Sequence, residues 1–187
     1  LSDRDANPNG ATHHYQINRS KYVMVPGNAR RRHPIIEERI EKLAEFAETF
    51  PFNIIEMGDT KLGIVTNGIA YQYAKEIFPN ASILRLGMTY PLPPKLIQDF
   101  ANRVDRLVVI EELDPFIEEE IRLMGIQVEG KNIFPIIGEL DPGIVADCAI
   151  EAGLLPSNLT PPAPTLENVP SLPMRPPLLC PGCPHRG

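Results

Sequence analysis

The stretch Leu62-Gly63-Ile64-Val65-Thr66-Asn67-Gly68 joins a short apolar run to a polar turn that ends in glycine. Such a run is the pattern of a strand buried on both faces, as in a parallel sheet, and the residues from Gly68 to about Ile77 are predicted to form a helix. The pairing recurs downstream. Ser82 to Leu86 reads as a second strand before a helix over Pro94 to Val104, and Leu107 to Ile110 as a third before a helix over Phe116 to Met124. A shorter strand near Ile126 to Glu129, another at Phe134 to Ile137 and a last helix from Pro142 to Ala152 complete the series. Strands alternating with helices of this length imply right-handed crossovers. Residues 61–155 are therefore predicted to form a three-layer α/β/α sandwich around a mainly parallel, five-stranded sheet.

The flanks read differently. Residues 1–14 are polar and rich in turn formers, without periodicity. Tyr22-Val23-Met24-Val25 suggests a short strand, after which Gly27 and Asn28 should break the chain. From Pro34 to Phe50, Ile35, Ile36, Ile40, Leu43, Phe46 and Ala47 recur at helical spacing, with Pro34 suited to the first turn and Pro51 ending the helix. Ten prolines between residues 156 and 187 mark an extended connector.

Composition narrows the function classes. With 187 residues, 43% of them hydrophobic, there is material for one domain with a real core. A net charge of −6 argues against a nucleic-acid groove or an anionic membrane surface as the partner of the whole chain. No apolar run approaches the ~18 residues of a membrane span, and no secretory core is present, so the cytoplasm is the expected address. The three cysteines make no disulfide framework, and Cys148 reads as a small hydrophobe on an apolar helix.

Ligands of a parallel sheet collect at the carboxyl ends of its strands. Three segments should meet there: Thr66-Asn67-Gly68, Gly87-Met88-Thr89-Tyr90-Pro91 and Glu111-Glu112-Leu113-Asp114-Pro115. Gly68 would admit an anion close to the backbone, but no glycine-rich nucleotide signature is present, and the plainer reading, Gly68 and Gly87 as turn glycines with Thr66 as a cap, is the favoured one. The acidic trio could serve as acid, base or cation ligand, or as a helix cap with Asp114 ahead of Pro115. Asp105-Arg106 reads as a turn with a surface ion pair, and Arg30-Arg31-Arg32 with His33 as a solvated helix lead-in that could meet a phosphate or an acidic partner. His13 and His14 lack the one-turn spacing of a helical metal pair.

At the end of the chain, Cys180-Pro181-Gly182-Cys183-Pro184-His185-Arg186-Gly187 places two thiols and an imidazole together. Their number is too small for a closed zinc site or an iron–sulfur cluster, and their position suggests a piece of a larger enzyme.

This motif, with Gly63 to Tyr71, Leu86 to Pro93 and Val109 to Glu118, resembles the large (alpha) subunit of indolepyruvate ferredoxin oxidoreductase. The resemblance runs from about Tyr22 to the C-terminus. It implies a thiamine-diphosphate-dependent oxidation of aryl pyruvates to aryl acetyl-CoA, with electrons passed through 4Fe-4S clusters to ferredoxin. By that mapping residues 1–60 are the tail of a pyrimidine-binding domain with a linker helix, and residues 61–155 a transketolase C-terminal-like domain. Residues 156–187 are a linker and the start of the diphosphate-binding domain, to which Cys180, Gly182, Cys183 and His185 would belong. No catalytic residue and no metal ligand is assigned to this chain; the thiamine diphosphate, its Mg2+ and the clusters would be held elsewhere. Coenzyme A contacts are implied at Thr66, Asn67, Gly68, Gly87, Met88 and Tyr90. The implied partners are the other domains of the subunit, a smaller beta subunit and ferredoxin. A stand-alone nucleotide- or coenzyme A-binding module and an interdomain assembly module are the alternatives.

Overall fold

A computed structural model describes residues 16–156. The elements in chain order are α1 (Arg19–Tyr22), α2 (Pro26–Ala47), β1 (Ile54–Glu56), β2 (Asp59–Asn67), α3 (Ala70–Ile77), β3 (Ala81–Leu86), α4 (Pro94–Ala101), β4 (Leu107–Ile110), α5 (Phe116–Leu123) and α6 (Pro142–Glu151). The strands form one sheet in the order β1-β3-β2-β4. β2 runs parallel to both β3 and β4, with Val65 opposite Leu84 on one side and Val109 on the other; β1 is an antiparallel edge.

The apolar runs are two-sided because each strand feeds two cores. Val65, Leu84, Leu86 and Val109 pack with Ile97 and Phe100 of α4 and Ile117 and Ile121 of α5. Ile64, Ile83, Val108 and Ile110 pack with Ala70 and Ala74 of α3 and Val145 and Ala149 of α6. The predicted three layers are thus present, with α4 and α5 on one face and α3 and α6 on the other. Gly63 has to be glycine, since a Cβ there would lie 2.7 Å from Val104 Cγ2.

Several expectations are corrected. The sheet has four strands, not five. Ile126 to Glu129 contributes a single bridge, Glu129 to Val108, and Phe134 to Ile137 is turn, with Ile133 and Phe134 amides bonded back to the Gly130 carbonyl. Phe134 nonetheless anchors that turn in the second core. β1 escapes sequence reading because three residues show no period. Tyr22 to Val25 is not a strand: Asn18 caps α1 by accepting from the Lys21 amide at 3.0 Å, and residues 23–25 are a connector. α2 begins at Pro26 rather than Pro34, because the Asn28 and Ala29 amides already bond to the Val25 carbonyl at 2.9 Å; Pro34 sits inside the helix. The prediction of a break at Gly27-Asn28 fails with it.

The end of α2 is fastened to the domain by three devices. Ala47 is buried, Phe46, Phe50 and Phe52 form a chain of ring contacts, and the Glu48 carboxylate accepts from the Lys95 and Leu96 amides at 3.0 and 2.9 Å.

Candidate functional site

In the order β1-β3-β2-β4, the chain leaves β2 for β3 on one side and later crosses from β3 to β4 on the other. β2 and β4 are therefore neighbours whose following helices, α3 and α5, lie on opposite faces of the sheet. Their outgoing loops part and leave a crevice, the switch point at which open α/β sheets bind ligands. A cleft of about 390 Å3 occupies it, lined by Asn67, Gly68, Ile69 and Ala70 on one wall and by Glu111 to Asp114, Phe116 and Ile117 on the other, with Thr89 at its edge.

Both walls carry left-handed backbone. Gly68 has φ +51°, which glycine adopts freely. Leu113 has φ 57°, the one positive φ at a non-glycine among the described residues, a conformation costing ~1–2 kcal/mol. Its side chain is turned to solvent, so the strain is not repaid by apolar burial.

The acidic trio does not converge on one point. Glu111 is buried, and its carboxylate accepts from the Ile117 and Glu118 amides at 2.8 and 3.0 Å, capping α5 from six residues upstream. The cap is thus Glu111 and not Asp114. Desolvation pushes the Glu111 carboxyl above the ordinary range, against those two backbone bonds and the nearby Lys131 charge. Lys131, pulled below the usual lysine value by its own desolvation, donates to the Glu111 and Pro135 carbonyls. Glu112 accepts from the Leu140 amide at 3.2 Å. What the wall presents to the cleft is therefore acceptor capacity rather than a cation cage; among the described residues no His, Cys, Asp and Glu set could hold a metal.

The opposite wall supplies donors. α6 is capped by Asp141, α4 by Glu48 and α5 by Glu111, whereas α3 has no side-chain cap. Ile69 and Ala70 at its start line the cleft, and the Gln72 amide bonds back to the Ile69 carbonyl at 2.9 Å.

The remaining predicted residues fall elsewhere. Thr66 is fully buried and donates to the Ile110 carbonyl at 2.8 Å, tying β2 to β4 below the cleft; it is neither cap nor lining. The Gly87 and Met88 amides donate to Asn53 Oδ1 at 2.9 and 3.1 Å, so the second glycine turn is held by protein. A Cβ at Gly87 would also meet Phe52 Cβ at 2.7 Å. Tyr90 is exposed, with its ring 6.5 Å from that of Phe116 at the mouth of the cleft. Arg106 pairs not with Asp105 but with Glu129, through Nε at 2.5 Å and Nη2 at 3.0 Å, and so pins the one-bridge strand remnant. Cys148 is partly buried and its thiol is pushed up by desolvation. Cys180, Gly182, Cys183, His185, His13 and His14 lie outside the described residues. Cys148 is the one cysteine among the described residues, too few ligands to hold a cluster there. Asn53 is the residue sequence reading missed; an Asn just past a helix end carries no signal of bonds to a loop 34 residues away.

The layered sheet with its switch-point cleft is an α/β fold that recurs in a solved enzyme. The solved 2-oxoglutarate:ferredoxin oxidoreductase of Magnetococcus marinus, described with 2-oxoglutarate, coenzyme A and succinyl-CoA bound, superposes with TM-score 0.50 at 16% identity, over 68% of this chain and 24% of that one. No protein-family model matches. Among curated relatives, the indolepyruvate oxidoreductase subunit IorA of Pyrococcus horikoshii is 35% identical over 187 residues, and that of Archaeoglobus fulgidus 33% over 175. The alignments cover 92% and 87% of this chain, which spans 29% and 28% of those relatives' lengths. Over the segment they share, the chain is a homologue of the indolepyruvate oxidoreductase subunit IorA. Among the described residues no helix is long and apolar enough to cross a membrane.

Proposed function

We propose that this chain supplies the transketolase C-terminal-like domain, residues 61–155, of a cytoplasmic, thiamine-diphosphate-dependent indolepyruvate ferredoxin oxidoreductase. The observation that carries the reading is the sequence relation to IorA along roughly nine-tenths of the chain. In this reading the domain is a scaffold: the flanking residues 1–60 and 156–187 join it to the pyrimidine- and diphosphate-binding domains. The thiamine diphosphate with its Mg2+, and the 4Fe-4S clusters that pass electrons to ferredoxin, are held by those other parts and by a smaller beta subunit.

The role left to the domain is contact with coenzyme A at the switch-point cleft, through Asn67, Gly68 and Thr89. One wall offers the uncapped start of α3 and the other carboxylate acceptors, a pairing that suits amide groups, which carry one acceptor and one donor each. The carboxylates would repel a diphosphate. The amide-bearing arm of coenzyme A, rather than its phosphates, is therefore the part that fits.

The test is a transplant. Replacing the aligned segment of Pyrococcus horikoshii IorA by this chain should retain indolepyruvate- and coenzyme A-dependent reduction of a viologen dye, while the 187-residue chain alone should reduce none. Within the transplant, Asn67→Ala should raise the KM for coenzyme A about fivefold, roughly 1 kcal/mol for a lost hydrogen bond. The KM for indolepyruvate should stay unchanged. A folded but inactive transplant, or activity of the isolated chain, refutes the scaffold assignment; an unchanged KM for coenzyme A refutes the cleft assignment alone.

A further inference from the structure

The helical hairpin of α1 and α2 is the least explained surface of the molecule. Residues 16–36 contain five lysines and arginines, Arg19, Lys21, Arg30, Arg31 and Arg32, and no acidic residue. The net charge of the chain is −6, so the remainder carries −11. The five cations have no ion-pair partner among the described residues; the first acid, Glu37, is taken by His33 at 2.8 Å. The segment is also apolar where it is exposed: Val23, Met24 and Val25 are each about half exposed, at 50%, 50% and 52%.

The hairpin is a built shape. Asn28 Nδ2 donates to the Val23 carbonyl at 2.8 Å and to the Arg19 carbonyl at 3.4 Å, clipping α1 against the start of α2. Between the two helices lies a hollow of about 340 Å3 lined by Asn18, Ser20, Lys21, Arg31, Arg32 and Ile35. Three cations thus converge on one concavity with no carboxylate in it.

We propose that the α1–α2 hairpin is a docking surface for an acidic protein partner. Carboxylates of the partner enter the hollow among Lys21, Arg31 and Arg32, and an apolar patch of the partner covers Val23 to Val25. Charge complementarity selects this occupant. A polyanion long enough to leave the hairpin, or an extended anionic bilayer, would meet the −11 of the remaining chain, whereas a protein presents a small acidic patch beside neutral surface. The concave hollow suits separate carboxylates rather than a plane of headgroups.

The probe is a synthetic peptide in which glutamates alternate with leucines, titrated into the 187-residue chain by fluorescence anisotropy. Binding should weaken at least tenfold in Lys21→Glu/Arg32→Glu, two exposed-end substitutions that leave the Arg31 to Asn28 hydrogen bond in place. It should weaken at least threefold in Val23→Ser/Met24→Ser, which keeps every charge, and circular dichroism should show both variants as helical as the parent. An Arg103→Ala control, away from the hairpin, should bind as the parent does. No loss in the charge variant overturns the proposal, and no loss in the apolar variant overturns it too by reducing the surface to general charge attraction. Tighter binding to phosphatidylglycerol vesicles or to a 20-nucleotide single-stranded DNA than to the peptide overturns it in favour of a membrane or a nucleic acid.

Discussion

Replacing Asn53 by alanine tests whether the second glycine turn belongs to the scaffold or to a ligand. The Asn53 side chain makes three hydrogen bonds: Nδ2 donates to the Ala47 carbonyl at 2.8 Å, and Oδ1 accepts from the Gly87 and Met88 amides at 2.9 and 3.1 Å. A net hydrogen bond is worth ~0.5–1.5 kcal/mol. One of the three is solvent-exposed and falls at the low end, so Asn53→Ala should cost about 2–3 kcal/mol. For a chain of this size that lowers Tm by about 5–10 °C. Asn53→Asp keeps both acceptor bonds and loses the donor, so its cost should be about 1 kcal/mol. Urea unfolding at fixed slope measures both. If Asn53→Ala costs less than about 0.5 kcal/mol, or if Asp and Ala cost the same, the turn is not held as argued and its amides are available to a ligand.

Three further outcomes follow from single contacts. Glu129 is held below the usual carboxylate range, first by its hydrogen bond from Arg106, so the pair stabilises the fold above pH ~4.3 and its contribution disappears as pH falls through the lowered value. Arg106→Ala should accordingly cost about 1 kcal/mol at pH 7 and progressively less as the pH falls below ~4.3, read from urea midpoints across pH. At Gly130 a Cβ would sit 2.4 Å from Glu118 Oε2, and Glu118 is buried while accepting from the Lys131 amide, so Gly130→Ala should lose about 2–3 kcal/mol in the same assay. Thr66→Val removes a buried donor below the cleft and should cost about 1 kcal/mol of stability; in the transplanted enzyme it should leave the KM for coenzyme A where Asn67→Ala moves it.

What could be read from the chain depended on the range of the interaction. β2, β3 and β4 and the four helices packed on them announce themselves because their apolar residues repeat at the period of the element they build, and each boundary falls within a few residues of its prediction. The failures are non-local. Ile126 to Glu129 has the composition of a strand, but its pairing with β4 ends after one bridge, and that remnant is fixed by Arg106 from another segment. Pro34 looks like a helix start, but Pro26 supplies one eight residues earlier, about two helical turns, at the clip made by Asn28. For the site, Asn67, Gly68 and the acidic segment were visible as polar turns after apolar runs. That β2 and β4 are neighbours was not, because strand order is set by crossovers and leaves no local signature, and the crevice exists only through that order.

The way the helices are capped ties these points together. α4 and α5 both start just after a proline and lack a local cap, a pattern that would leave their first amides bare. Each is instead met by a distant carboxylate, Glu48 for α4 and Glu111 for α5, so that the amides are satisfied and the loops around the cleft are fixed to the body of the domain. The same economy is withheld from α3. Its start is preceded by Gly68 in a left-handed turn, and it faces Leu113 held in the same region of backbone space across the crevice. Where the other helix ends at the sheet are closed by carboxylates, this one stays open in a rigid frame. An uncapped helix start between fixed walls suits contact with an entering acceptor group, and for the proposed coenzyme A contact it favours Asn67 and Gly68 over the glycine turn at Gly87, whose amides Asn53 already holds.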